Sequence, residues 1–268
     1  MPQGLRGPMT PPDLHAFVDL LATESGRAIL PFFRTALAAE DKSGGGVFDP
    51  VTEADRAAEI AMRGLIEERY PEHGIVGEEF GNLREGAEHV WVLDPIDGTK
   101  AFMCGLPLWG TLIGLLHGGR ASFGMMSQPF IGERFFGDGR QAHYRGPHGA
   151  RGLRARPCPS LAEATLSTTS PKLIPPDLRE RYLRVEEEVR LARYGYDCYA
   201  YCMLAAGHLD LVVEAGLKPY DIVALVPIIE GAGGVVTTWT GERPETGGAI
   251  VASGDPHLHE EVLRLLAN

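Results

Sequence analysis

The chain has 268 residues, 44% of them hydrophobic, enough for one large globular unit or two closely joined halves. Its 25 Lys and Arg against 36 Asp and Glu leave a formal charge of -11, so long-range electrostatics exclude nucleic acid and anionic membrane as expected partners. No apolar run approaches the roughly 18 residues of a membrane span, and the opening MPQGLRGPMTPPD lacks a signal-peptide core, so the expected location is the cytoplasm.

In chain order, residues 1–12 read as a flexible, Pro-rich start. Leu14, Phe17, Val18 and Leu21 then recur at helical spacing until Pro31 interrupts them. Asp41 to Pro50 carries three consecutive glycines and is expected to be a mobile loop. Thr52 with Asp55 resembles a capping box, and Ala58, Met62, Leu65 and Ile66 keep one apolar face up to Pro71. Short β-prone runs follow at 74–77, 90–93, 111–117, 121–127 and 134–137, separated by Gly, Pro and Asp turns. From Arg151 onward the pattern alternates: helix near 177–190, helix 200–206, strand 209–214, helix from Asp221, strands 235–239 and 249–252, and a closing helix 257–266. Such alternation predicts layered α/β packing, with an N-terminal half over 13–145 and a C-terminal half over 146–268.

The chemistry concentrates at element ends. Val90-Trp91-Val92-Leu93 is an apolar strand that runs into Asp94-Pro95-Ile96-Asp97-Gly98-Thr99, displaying two carboxylates and a hydroxyl on a turn fixed by Pro and permitted by Gly. Glu78 and Glu79 likewise follow the run Gly74 to Gly77, Asp49 precedes the second helix, and Asp221 opens a later one. Taken singly, these are also ordinary turn, surface and cap residues. Brought together at the mouth of an α/β fold, Glu78, Asp94, Asp97 and Asp221 repel one another unless a hard divalent cation such as Mg²⁺ binds between them. Cys104, Cys158, Cys198 and Cys202 are too irregularly spaced for a disulfide framework or a zinc site. The histidines show no metal spacing: His257 and His259 sit near the end, and His73, His89 and His117 read as incidental. No G-x-S-x-G elbow, P-loop or dinucleotide fingerprint occurs.

The blocks DPVTEAD (49–55), GEE (77–79), DPIDGT (94–99) and YDIVALVPIIEGAGG (220–234), in this order and spacing, resemble the inositol monophosphatase family of metal-dependent phosphate monoesterases. The resemblance extends from about Leu14 to the C-terminus. It implies an αβαβα sandwich of the inositol monophosphatase and fructose-1,6-bisphosphatase type, a small phosphate ester as substrate, and a homodimer. It also implies two or three Mg²⁺ ions held by Glu78, Asp94, the Ile96 carbonyl, Asp97 and Asp221. Asp49 and Thr99 would orient and deprotonate the attacking water, with Glu78 joining them in the catalytic set. Asp97 and the backbone N–H groups of Gly98 and Thr99 would border the phosphate pocket. Lys42, in the glycine-rich loop, is a candidate to close over it.

Two segments depart from the inositol phosphatases: Gly195-Tyr196-Asp197-Cys198-Tyr199-Ala200-Tyr201, and Leu217-Lys218-Pro219-Tyr220 before Asp221. With DGTKAF at 97–102 they look like the histidinol-phosphate phosphatase branch. Asp197 and Glu214 would then place negative charge where the organic part of the substrate lies, which suits a cationic amino alcohol better than a neutral polyol. Alternatively Asp197 is a turn residue, Glu214 pairs with a base such as Arg193, and the tyrosines only pack. The competing functions are a phosphatase for inositol phosphate, fructose bisphosphate or a nucleotide 3′-phosphate, and a non-catalytic metal-binding relic.

Overall fold

The computed structural model describes residues 11–35, 40–41 and 50–267. The first helix, Pro11–Ile29, starts inside the stretch expected to be flexible, because proline is tolerated in a first turn where no intrahelical N–H bond is needed. Its Phe17, Val18 and Leu21 pack with Met62 and Ile66 of the second helix, Glu53–Arg69, against Ile75, Trp91, Leu93 and Ile113. At the start of that second helix, the Asp55 carboxylate accepts from the Thr52 N–H at 2.8 Å and from its hydroxyl at 2.5 Å. The ends of the expected glycine loop are paired rather than free: Asp41 lies opposite Pro50 and Glu40 opposite Val51. Lys42 and Asp49 fall outside the described residues.

Beneath the helix pair lies an eight-stranded sheet. In spatial order it runs Gly149–Gly152, Ala142–Gly146, Glu133–Gly137, Arg120–Gln128, Gly110–His117, His89–Asp97, Gly74–Gly77 and Gly81–Leu83. All neighbours are antiparallel except Gly74–Gly77 with His89–Asp97. A five-stranded sheet follows in the order Leu191–Tyr194, Thr165–Thr168, Leu211–Leu217, Gly248–Ser253 and Val235–Thr238. Successive residues of Leu211–Leu217 serve opposite faces, as the period of two requires: Val212 joins a core with the helices Cys198–Ala205 and Val226–Gly231, while Leu211 and Val213 join Tyr182, Val185 and Val262 of the helices Pro176–Glu188 and Pro256–Ala267. The result is the expected αβαβα layering.

Besides the two-residue pair Glu40–Asp41 and Pro50–Val51, five strands escaped the sequence reading: Gly81–Leu83, Ala142–Gly146, Gly149–Gly152, Thr165–Thr168 and Leu191–Tyr194. Edge segments such as Gly-Ala-Arg-Gly are exposed throughout and carry no alternation to read. The helix expected from Asp221 is broken into Pro219–Ile222 and Val226–Gly231. Pro227 causes the break, since it fits only a first helical turn.

This broken helix sits directly on backbone. Gly114, Gly124 and Gly137 are register partners on three adjacent strands. A Cβ on Gly124 would fall 1.8 Å from the Ala224 carbonyl oxygen, and one on Gly137 2.5 Å from that of Pro227. Only a stripe without side chains admits the helix this closely.

The three central histidines are not incidental. His73 and His89 stack at 4.9 Å, His89 and His117 at 4.6 Å, and Tyr70 extends the column at 4.7 Å from His73. Trp91 Nε1–H donates to His73 Nδ1 at 3.1 Å. His259 is also buried, between the Ser253 hydroxyl at 3.1 Å and the Thr237 hydroxyl at 2.9 Å. Burial lowers its pKa to about 4, so between pH 6.5 and 4 the unfolded chain binds a proton that the folded chain refuses. Stability from this group is therefore present above pH 6.5 and lost on acidification. The margin of the wild type over His259→Gln, read by urea unfolding, is expected to shrink by up to about 1.4 kcal/mol per pH unit in that window; a constant margin would contradict it.

Candidate active site

The strand His89–Asp97 delivers the central acids. Its pairing with Gly110–His117 shifts register between Asp94 and Asp97, and such a bulge re-aims side chains. The Asp94 carboxylate accepts from the Ile96 N–H at 3.0 Å, and the Pro95 carbonyl accepts from the Thr111 hydroxyl at 2.8 Å. Ser25 of the first helix bonds that hydroxyl in turn at 3.0 Å. Gly98 then turns the chain at φ +90°, where a Cβ would stand 2.8 Å from the Leu108 carbonyl oxygen. The helix Thr99–Met103 follows, and Thr99 Oγ1 donates to the Ile96 carbonyl at 3.0 Å.

The turn that carries Glu78 is held by a residue the sequence reading missed. Glu59 accepts from the N–H groups of Glu79 at 2.8 Å and Phe80 at 3.2 Å, and from Arg63 Nε at 2.7 Å. It reaches under the Gly-Glu-Glu turn so closely that a Cβ on Gly77 would lie 2.0 Å from its Oε1. The only trace in the sequence is a Glu and an Arg four apart, which usually marks a solvated pair.

The remaining groups come from the other sheet and the helices between. Asp221 Oδ2 accepts from the Lys218 N–H at 2.6 Å. Asp97 Oδ2 accepts from the Cys198 N–H at 2.6 Å, a bond across 101 residues that ties the strand end to the helix Cys198–Ala205. Asp197, preceding that helix, adopts φ 45° and ψ −135°, a sparsely populated region that non-glycine residues occupy mainly at functional sites. Glu214 Oε1 accepts from the Thr169 N–H at 2.7 Å and hydroxyl at 2.5 Å, and its Oε2 from the Tyr201 hydroxyl at 2.8 Å. Arg193, the base offered for Glu214, donates instead to the Tyr196 hydroxyl at 3.0 Å.

One cleft of about 350 Å³ is bordered by Glu78, Asp94, Asp97, Thr99, Asp197, Glu214 and Asp221. Carboxylate oxygens of Asp94, Asp97 and Asp221 lie within 4.8 Å of one another. Burial, then the charges of Glu78, Asp97 and Asp221, pushes the Asp94 carboxyl well up. Burial, then Asp197 and Asp221, does the same to Asp97, and burial raises Asp221 to about 7. Asp197 also reaches about 7, through burial and the Glu214 charge, and burial raises Glu214 itself. An oxygen-only donor set with this much unrelieved repulsion suits a hard divalent cation. Of the residues singled out from the sequence, Glu78, Asp94, Ile96, Asp97, Gly98, Thr99, Asp197, Glu214 and Asp221 all border this cleft.

Fold and cleft together describe a layered α/β protein whose one acid cluster among the described residues has the geometry of a metal site. The sequence model of the inositol monophosphatase family matches residues 13–268, and the chain belongs to that family of metal-dependent phosphatases, which act on small phosphate esters. Over 258 residues the chain is 45% identical to Bifunctional phosphatase IMPL2, chloroplastic, of Arabidopsis thaliana, a match spanning 92% of this chain and 72% of that protein. A Histidinol-phosphatase of Mycobacterium tuberculosis is 37% identical over 221 residues, 81% of this chain and 84% of that one. The solved structure of an inositol monophosphatase from Zymomonas mobilis superposes with a TM-score of 0.85 at 40% identity, covering 96% of this chain and 98% of that chain.

Proposed function

We propose that this phosphatase hydrolyses L-histidinol phosphate to L-histidinol and phosphate, with Mg²⁺ held by Glu78, Asp94, the Ile96 carbonyl, Asp97 and Asp221. The observation that carries the substrate is the pair Asp197 and Glu214, two carboxylates in the same cleft as the acid cluster. A protonated amine gains from that pair where water is partly excluded, and a neutral polyol does not. The name of the Mycobacterium tuberculosis relative supports the same substrate.

Held by those acids and the Ile96 carbonyl, divalent ions would supply Lewis-acid chemistry, making water more acidic and neutralising phosphoryl charge. The chain's own residues supply position. Because Thr99 donates its hydroxyl proton to the Ile96 carbonyl, its oxygen lone pairs are left to accept from the attacking water, and Asp49 is assigned as the group that takes the proton. Asp197 and Glu214 orient the amino alcohol so that the ester oxygen leaves in line with the attack.

A second reading, inositol 1-phosphate as substrate, is favoured by the likeness to the Zymomonas mobilis structure. Initial rates of phosphate release from histidinol phosphate, inositol 1-phosphate, fructose 1,6-bisphosphate and 3′-phosphoadenosine 5′-phosphate, with Mg²⁺ and with chelator, test both. Histidinol phosphate is expected to lead in kcat/KM by roughly tenfold or more, with all activity lost in chelator. A lead for inositol 1-phosphate would reject the substrate, and no release from any ester would leave the metal-binding relic.

A further inference from the structure

Ionised carboxylates offer about four acceptor positions on two oxygens. In Glu214 three are taken: Oε1 by the N–H and hydroxyl of Thr169, and Oε2 by the Tyr201 hydroxyl. All three donors are neutral, and among the described residues no ion pair engages Glu214. One acceptor position is left on a carboxylate that borders the cleft. Tyr201 and Glu214 are both almost fully buried, at 2% and 6% exposure, so neither can turn toward solvent to exchange partners.

We infer that Tyr201 and Thr169 are positioning residues for the organic end of the substrate: they lock the Glu214 carboxylate so that its last free acceptor position meets one N–H donor of a cationic amine. The inference rests on the substrate reading above and adds to it which residues set the geometry. Tyr201 is well placed for the task. It lies on the helix Cys198–Ala205, whose first N–H holds Asp97 at 2.6 Å, so one short element fixes both the acid cluster and the recognition carboxylate. Without the Tyr201 hydroxyl, Oε2 loses its fixed donor and rotates about the side chain, and the lost contact appears in substrate affinity rather than in the chemical step. Thr169, in the loop after the strand Thr165–Thr168, braces the opposite oxygen.

Steady-state kinetics of Tyr201→Phe, Thr169→Val and Thr169→Ser test this on three esters: histidinol phosphate, inositol 1-phosphate and phenyl phosphate, the last having no N–H or O–H donor on its organic group. Tyr201→Phe and Thr169→Val are expected to raise KM for histidinol phosphate roughly tenfold with kcat little changed. Phenyl phosphate should keep its KM, and Thr169→Ser should restore wild-type behaviour. Histidinol, the product, should weaken as a competitive inhibitor by the same factor. A fall in kcat shared by all three esters, or an unchanged ratio of histidinol phosphate to phenyl phosphate, would overturn the inference. Failure of the substrate reading shows separately, as a wild-type preference for inositol 1-phosphate; the positioning role is then judged on the ratio of that ester to phenyl phosphate.

Discussion

Asp221→Asn is expected to reduce phosphate release by more than about a hundredfold while leaving the metal-free fold as stable as the wild type, or more so. The two effects have one cause. Asp221 is half-buried beside like charges, and its carboxyl is held at about 7, above the roughly 3.9 of an unfolded chain. A group with a raised folded pKa lends stability below its unfolded pKa and loses it as pH climbs through the folded one. Above pH 7 the metal-free wild type therefore carries a repulsive charge that asparagine lacks, while the amide oxygen can still accept from the Lys218 N–H. The variant should gain on the order of 1–3 kcal/mol over the wild type at pH 8, and the gain should vanish near pH 4. Calorimetric Mg²⁺ titration together with urea unfolding in chelator reads both effects, and wild-type Mg²⁺ affinity in the variant would remove Asp221 from the ligand set.

A second large effect comes from a residue with no chemistry at all. Gly124→Val should destabilise the protein by about 3 kcal/mol or more and abolish activity, although Gly124 lies outside the cleft. Its added Cβ would stand 1.8 Å from the Ala224 carbonyl oxygen, and backbone, unlike a flexible side chain, cannot swing aside. The segment must lift from the sheet, and Asp221 lies three residues before Ala224 on it. Gly118→Asn is the control: that glycine sits in the connection between Gly110–His117 and Arg120–Gln128, nothing lies within 4 Å of its Cβ position, and asparagine tolerates its φ of +56°. Urea midpoints and residual kcat for the pair decide the matter; a Gly124→Val protein with normal stability would mean that the helix is not seated on the glycine stripe.

The acid-bearing turns are legible in the sequence because each is local: Asp94 to Thr99 is one continuous string at the end of an apolar run, and Glu78 follows another. What sequence does not reveal is contact across the chain. Glu59 meets the Glu79 N–H 20 residues away, Ser25 meets Thr111 across 86, and Asp97 meets Cys198 across 101. The same limit hid the histidine column, whose members His73, His89 and His117 have no common spacing and become neighbours only through strand pairing. Amphipathic helices are readable from their periodicity, whereas a strand such as Thr-Leu-Ser-Thr at 165–168, buried at every residue, offers no alternation. Glycine stripes are hidden for another reason: Gly114, Gly124 and Gly137 look like any strand glycine until the layer above is in place.

The acid cluster draws its members from the larger sheet and from the helix Pro219–Ile222 that follows a strand of the smaller one. Asp94 and Asp97 lie at the end of a strand of the larger sheet, and Asp221 just beyond the strand Leu211–Leu217 of the smaller one. An ion bound there would work as a staple between layers, and at a hundred times its dissociation constant would add about 2.7 kcal/mol to their cohesion. Thermodynamic reciprocity then makes the ion a gauge of the whole molecule. Whatever loosens one layer from the other, whether denaturant, pressure or a substitution far from the cleft, must weaken ion affinity by the same factor by which the ion resists the loosening.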